Sequence, residues 1–133
     1  MAFIKCSGGG GKLKETELWK NPNIATGNVK SFSSQTINLN YSIDNFEYLK
    51  FNYRVSDDKD VIGNALMSVL DFNTAIDSNG HINVALAVRG GSVAYYRRIT
   101  YTSSTSIHIW NSSSGSGSTN NTTCLPLYVY GLK

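Results

Sequence analysis

The 133-residue chain reads as an all-β protein, a two-sheet antiparallel β-sandwich of jelly-roll-like plan with about eight strands. Three observations predict this. Apolar residues return at every second position in several separate segments, the signature of strands with one buried and one open face. Turn-forming Gly, Asn, Asp and Ser clusters separate these segments at the spacing of a sandwich. Strands do not alternate with long helical patterns, as a parallel α/β sheet would require.

Residues 1–14 read as a flexible Gly-rich arm, with four consecutive glycines from Gly8 to Gly11, and residues 15–133 as one domain. Glu15 to Lys20 is a short strand with apolar Leu18 and Trp19, ended by Asn21-Pro22-Asn23. Ile24 to Ser34 is irregular and polar, with Gly27 as a turn, and Thr36 to Asn40 is a strand that turns Ile37 and Leu39 inward. Asp44-Asn45 opens a turn. The cleanest strand follows, where Leu49, Phe51, Tyr53 and Val55 alternate with Lys50, Asn52 and Arg54. Asp57 to Asp60 is a solvated hairpin tip, since the alternating ligands, central Gly and distal Glu of a calcium loop are missing. In Val61 to Phe72, Ala65, Leu66, Met67, Val69 and Leu70 suit a helix or a strand; Gly63, Asn64 and the surroundings favour a strand.

Asp77 to Gly80 is a turn, and His81 to Trp110 forms an antiparallel meander. Its first strand alternates through Ile82, Val84, Leu86 and Val88, and Gly90-Gly91 supplies the hairpin. The second runs from Ser92 to Tyr101, and Thr102 to Ser104 turns into Ile107 to Trp110. Asn111 to Thr123, almost wholly Ser, Gly, Thr and Asn, reads as an exposed loop without a core. Leu125, Leu127 and Val129 then alternate with Pro126, Tyr128 and Tyr130 in a last strand.

A hydrophobic fraction of 41% is enough for a packed core, whereas only 16% of residues are charged, the polar share being Ser, Thr and Asn. The net charge of +3 is spread along the chain and forms no basic stripe, so nucleic acid is not an expected partner. No apolar run approaches the roughly 20 residues that span a membrane. Met1 to Lys5 has no hydrophobic signal core, so synthesis without export is expected. Cys6 and Cys124 read as two separate thiols or, alternatively, as a disulfide tying the arm to the last strand. No cofactor or metal is expected: Cys and His lack ligand spacing.

Nucleophilic catalysis needs a serine, a base and a strained elbow, and Gly-x-Ser-x-Gly is missing. His81 and His108 both oppose their apolar neighbours in parity, as solvated or interface histidines do. Asp44, Glu47, Asp71 and Asp77 sit at or near turns, and no pair is marked out for glycoside hydrolysis. The chain is therefore not expected to be an enzyme. Aromatics are the better clue. The outward parity of the late strands carries Tyr96, Trp110, Tyr128 and Tyr130, with Arg97 or Arg98 nearby. The expected binding set is Tyr96, Arg98, Trp110, Tyr128 and Tyr130. Such residues mark contact surfaces, buried by a second sheet or a sister subunit, or stacked on sugar rings.

The segments Glu17-Leu18-Trp19-Lys20-Asn21-Pro22-Asn23, Phe32-Ser33-Ser34-Gln35-Thr36-Ile37-Asn38-Leu39, Tyr48-Leu49-Lys50-Phe51-Asn52-Tyr53 and Pro126-Leu127-Tyr128-Val129-Tyr130-Gly131-Leu132-Lys133 carry a resemblance. Through them the chain resembles small phage and prophage proteins of Gram-positive bacteria, which are tail-associated or receptor-binding head domains or other virion accessory proteins. The resemblance implies a β-sandwich in a virion, made in the bacterial host cytoplasm, and homo-oligomers, often trimers. It offers no catalytic residues to transfer. The expected function is a non-enzymatic virion structural or host-surface adhesion module, with other virion proteins and a cell-surface glycan as partners. A stand-alone carbohydrate-binding module is the alternative, and a hydrolase the third reading.

Overall fold

The computed structural model describes residues 13–27, 29–74, 84–90 and 93–133. The Cys6 thiol, residues 1–12 of the Gly-rich arm, the Asp77 to Gly80 turn and His81 lie outside them. The described chain is an all-β two-sheet sandwich. Sheet A holds β1 (Glu15–Lys20), β3 (Tyr48–Ser56), β4 (Lys59–Ser68) and β9 (Thr123–Leu132) in the order β1-β9-β3-β4. Sheet B holds β2 (Gln35–Asn38), β5 (Val84–Gly90), β6 (Val93–Ser103) and β7 (Ser106–Ile109) in the order β2-β7-β6-β5, and short β8 (Ser113–Ser114) also pairs with β6. The expected meander is there as β5-β6-β7.

The strands form where alternation predicts. In β3, Leu49, Phe51 and Tyr53 are buried while Lys50 and Asn52 are less so. They meet Leu18, Leu125 and Val129 of sheet A and Ile37, Ile99, Ile107 and Ile109 of sheet B in one core. Two inward glycines make room for rings. Gly63 pairs with Tyr53 and Gly131 with Leu49, and a Cβ on either would overlap the Tyr53 or Phe46 ring. A bulge at Leu18 opposite β9 and another at Leu127 opposite β3 bend the sheet at its first and last strands.

Three expectations need correction. The Val61 to Phe72 segment is a strand only as far as Ser68; α1 (Val69–Thr74) follows. The Ser68 hydroxyl accepts the Asp71 N–H at 3.3 Å, Asp71 sits in the first turn, and buried Phe72 packs on Phe51 and Tyr101. A cap and one anchored ring thus outweigh the strand pattern. Ile24 to Ser34 is irregular but not merely polar, because Val29 and Phe32 enter the core. Asn111 to Thr123 is not simply exposed: Ser112, Ser114 and Thr123 are buried. Their hydroxyls replace apolar burial with hydrogen bonds, such as Ser112 Oγ to Thr123 Oγ1 at 2.6 Å.

Candidate functional site

On the outer face of sheet B the register sets Thr36, His108 and Thr100 side by side across β2, β7 and β6. Trp110 continues the outward parity of β7, and its N–H bonds the Arg98 carbonyl at 2.9 Å. Its indole Nε1–H donates to Thr100 Oγ1 at 3.1 Å, so the ring covers Thr100, which is buried although it faces outward. The His108 ring meets the indole edge-on at a centroid distance of 4.5 Å. Trp110 nevertheless stays 38% exposed, and neighbouring Tyr96 stays 39% exposed. Tyr96, Arg98, Trp110, Asn111, Ser113 and Thr119 line an open cavity of about 290 Å³.

The platform under this cavity is built from inside. Arg97 shares the inward parity of Tyr95 and Ile99 and is 0% exposed. Its guanidinium donates to four backbone carbonyls: Cys124 at 2.6 Å, Trp110 at 3.0 Å, Thr123 at 3.1 Å and Asn121 at 3.3 Å. The Phe32 ring lies 5.3 Å from its Cζ, a cation–π contact. Burial pulls the guanidinium down to about 10, which leaves it charged at neutral pH. The sequence places an arginine beside the aromatic face. Parity with Ile99 was the signal that this arginine points inward, while Arg98 points out.

Cys124 is a free, buried thiol. Its backbone adopts φ 47°, a left-handed conformation that a non-glycine residue holds at a cost of order 1–3 kcal/mol. That conformation presents its carbonyl to Arg97. Desolvation pushes the thiol pKa up, against the opposing pull of the Ser112 hydrogen bond and the Arg97 charge.

The outer edge of the platform is an amide network. Asn111 Oδ1 accepts from the Ser34 N–H at 2.8 Å and from Asn121 Nδ2 at 3.0 Å, and Asn121 Oδ1 accepts from the Ser112 N–H at 3.1 Å. His108 is held by hydroxyls at both ring nitrogens, Ser34 Oγ at 2.8 Å and Thr36 Oγ1 at 2.9 Å. A serine is therefore in reach of an imidazole, but the group behind that imidazole is a hydroxyl, which cannot stabilise an imidazolium as a carboxylate does.

The expected binding set divides in two. Tyr96, Arg98 and Trp110 come together on sheet B. Tyr128 and Tyr130 lie on β9, on the outer face of sheet A, at the opposite side of the sandwich. Their rings stack at 5.4 Å with an interplanar angle of 19°, and Lys50, ion-paired with Glu15, lies 4.9 Å over Tyr130. Desolvation raises the Tyr130 phenol, helped by Tyr128, Glu15 and Glu17. That pair is less exposed than Trp110 and Tyr96, and Tyr128 lines a separate cavity of about 240 Å³ with Ile24, Val29 and Leu127. No family model, curated protein or solved structure matches the chain. The functional argument accordingly rests on this geometry.

Proposed function

We propose that the protein is a non-enzymatic adhesion module of a phage or prophage virion, tail-associated, and that the Trp110 face meets a host-surface saccharide. The observation that supports the saccharide contact is the indole itself. It is fixed by Thr100, His108 and the Arg97 bond to its carbonyl, and remains open beside Tyr96 and polar Asn111, Ser113 and Thr119. A rigid aromatic plane with polar neighbours stacks the C–H face of a pyranose and bonds its hydroxyls at small entropic cost. Binding to a cell-wall glycan array tests this. Trp110→Ala abolishes capture while the melting temperature stays within a few degrees; an unchanged affinity, or a wild type that captures nothing, overturns it.

Self-association belongs to the same reading. Among the described strands β4 is an edge strand whose residues 61–68 bear no charge and leave Val61, Ile62 and Leu66 about half exposed. The β1 edge, by contrast, carries Glu15, Glu17, Lys20 and a bulge, features that blunt edge pairing. An uncharged, apolar edge suits a second copy of this chain. The contact of Ser34 with His108 favours one competing reading, a hydrolase. It predicts ester hydrolysis that Ser34→Ala removes, and a turnover equal in both proteins ends it.

A further inference from the structure

All nine acidic residues of the chain lie at or before Asp77. None of the strands of sheet B contains Asp or Glu, and neither does the segment from Trp110 to Thr123. Among the described residues the carboxylates lie instead on β1, on the β3–β4 hairpin of sheet A, at Asp44 and Glu47 before β3 and at Asp71 in α1. The strands of sheet B therefore carry only basic charge, whereas those of sheet A carry both signs, Glu15, Glu17 and Asp60 with Lys20, Lys50, Arg54 and Lys59.

Arg98 stands on the acid-free face. Arg97 is saturated with carbonyls, Arg54 donates to the carbonyls of Val29 and Asp57, and Lys50 has Glu15. Arg98 has no such partner: among the described residues, no carboxylate, carbonyl or hydroxyl accepts from its guanidinium. It is partly buried and lines the cavity with Trp110 and Tyr96. Asn111 adds a second donor, since its Oδ1 is occupied by Ser34 and Asn121 while its NH2 has no acceptor among the described residues. An uncompensated guanidinium and a free amide N–H beside an aromatic plane form a donor-rich pocket with no counter-anion among the described residues. A planar guanidinium matches a carboxylate or phosphate bidentately.

Resting on the adhesion reading above, we infer that the Trp110 site selects an anionic saccharide: the sugar ring stacks on Trp110 and Tyr96, and its carboxylate or phosphate is taken by Arg98 and Asn111. Neutral sugars of the same ring are bound more weakly.

The test uses the full chain on glycans of matched backbone in three arms: neutral, uronate-bearing and phosphate-bearing. Expected is capture of one or both acidic arms, at least about tenfold tighter than the neutral arm, weakening as salt rises from 50 to about 500 mM. Arg98→Gln lowers acidic binding about tenfold and changes neutral binding less than about twofold, while Arg98→Lys restores part of the loss. The two acidic arms tell carboxylate from phosphate. Equal capture of neutral and acidic arms, or an Arg98→Gln protein that binds acidic glycans like wild type, overturns this inference and leaves the adhesion reading standing if Trp110→Ala still abolishes capture. A wild type that binds no arm overturns both.

Discussion

Replacing Arg97 by Met tests whether the Trp110 platform is held from within. The change keeps an unbranched side chain and removes every donor. Two of the four carbonyls, those of Cys124 and Thr123, are bonded in buried surroundings, and those of Trp110 and Asn121 in partly buried ones. A buried acceptor left unpaired costs about 1–3 kcal/mol, whereas the outer two regain water at little cost. Relief of the desolvated guanidinium returns part of this, so a net loss of about 2–4 kcal/mol is expected. For a domain of this size that lowers Tm by roughly 8–15 °C. Urea unfolding followed by fluorescence gives the free energy, and near-UV circular dichroism reads whether the indole keeps its environment. Arg97→Lys, which keeps the charge but not the fork, should fall between. A variant within about 0.5 kcal/mol of wild type, with an unaltered tryptophan signal, would refute the clamp.

Other consequences follow from single residues. The Cys124 thiol is raised in the folded chain, so above its ordinary value of 9.0 the unfolded chain ionises first and binds fewer protons. Its contribution to stability is complete below that pH and is lost as pH rises; wild type minus Cys124→Ala stability, measured from pH 8 upward, should shrink by no more than about 1.4 kcal/mol per unit. A flat difference would contradict the burial. Gly131→Ala drives a Cβ into the Phe46 ring and should cost about 1–3 kcal/mol, part of which Phe46→Leu recovers in chemical denaturation. Ile62→Lys with Leu66→Lys charges the open β4 edge and should convert an oligomer to monomer in light scattering; a monomeric wild type removes that interface.

The strands were legible because polar residues interrupt the apolar ones. Lys50 and Asn52 between Leu49, Phe51 and Tyr53 leave one periodicity open, and the sandwich follows from repeating it. Where both parities are apolar, as through Ala65 to Leu70, local pattern cannot choose; the choice at Val69 falls to tertiary partners, the Glu47 carbonyl that takes its N–H and the pocket that takes Phe72. The site was half legible. Tyr96 and Trp110 share a face because parity is a short-range rule, but parity does not say which sheet a later strand joins. Tyr128 and Tyr130 therefore fell into the same set until β9 settled between β1 and β3. Arg97 was obscured by its charge, since a cation reads as exposed when its acceptors are carbonyls far along the chain.

Those carbonyls explain how a segment so poor in apolar residues can carry a binding face. Asn111 to Thr123 contains no side chain that could anchor it by hydrophobic burial. Local amide and hydroxyl bonds shape it, and single contacts tie it to its surroundings: β8 pairs with β6, Asn111 Oδ1 accepts the Ser34 N–H, and the Asn121 carbonyl accepts the Phe32 N–H. The two ends are tied together from the protein interior, where Arg97 spans from the Trp110 carbonyl at one end of the segment to those of Thr123 and Cys124 at the other. The left-handed turn at Cys124 aims the last of these. A buried cation thus links both ends of a polar loop from within, while the Arg98 guanidinium and the Asn111 NH2 face outward. Rigidity and ligand chemistry are assigned to adjacent arginines of opposite parity, so Arg97→Met should loosen the face without changing which anion it selects, and Arg98→Gln should change the selection on an unaltered face.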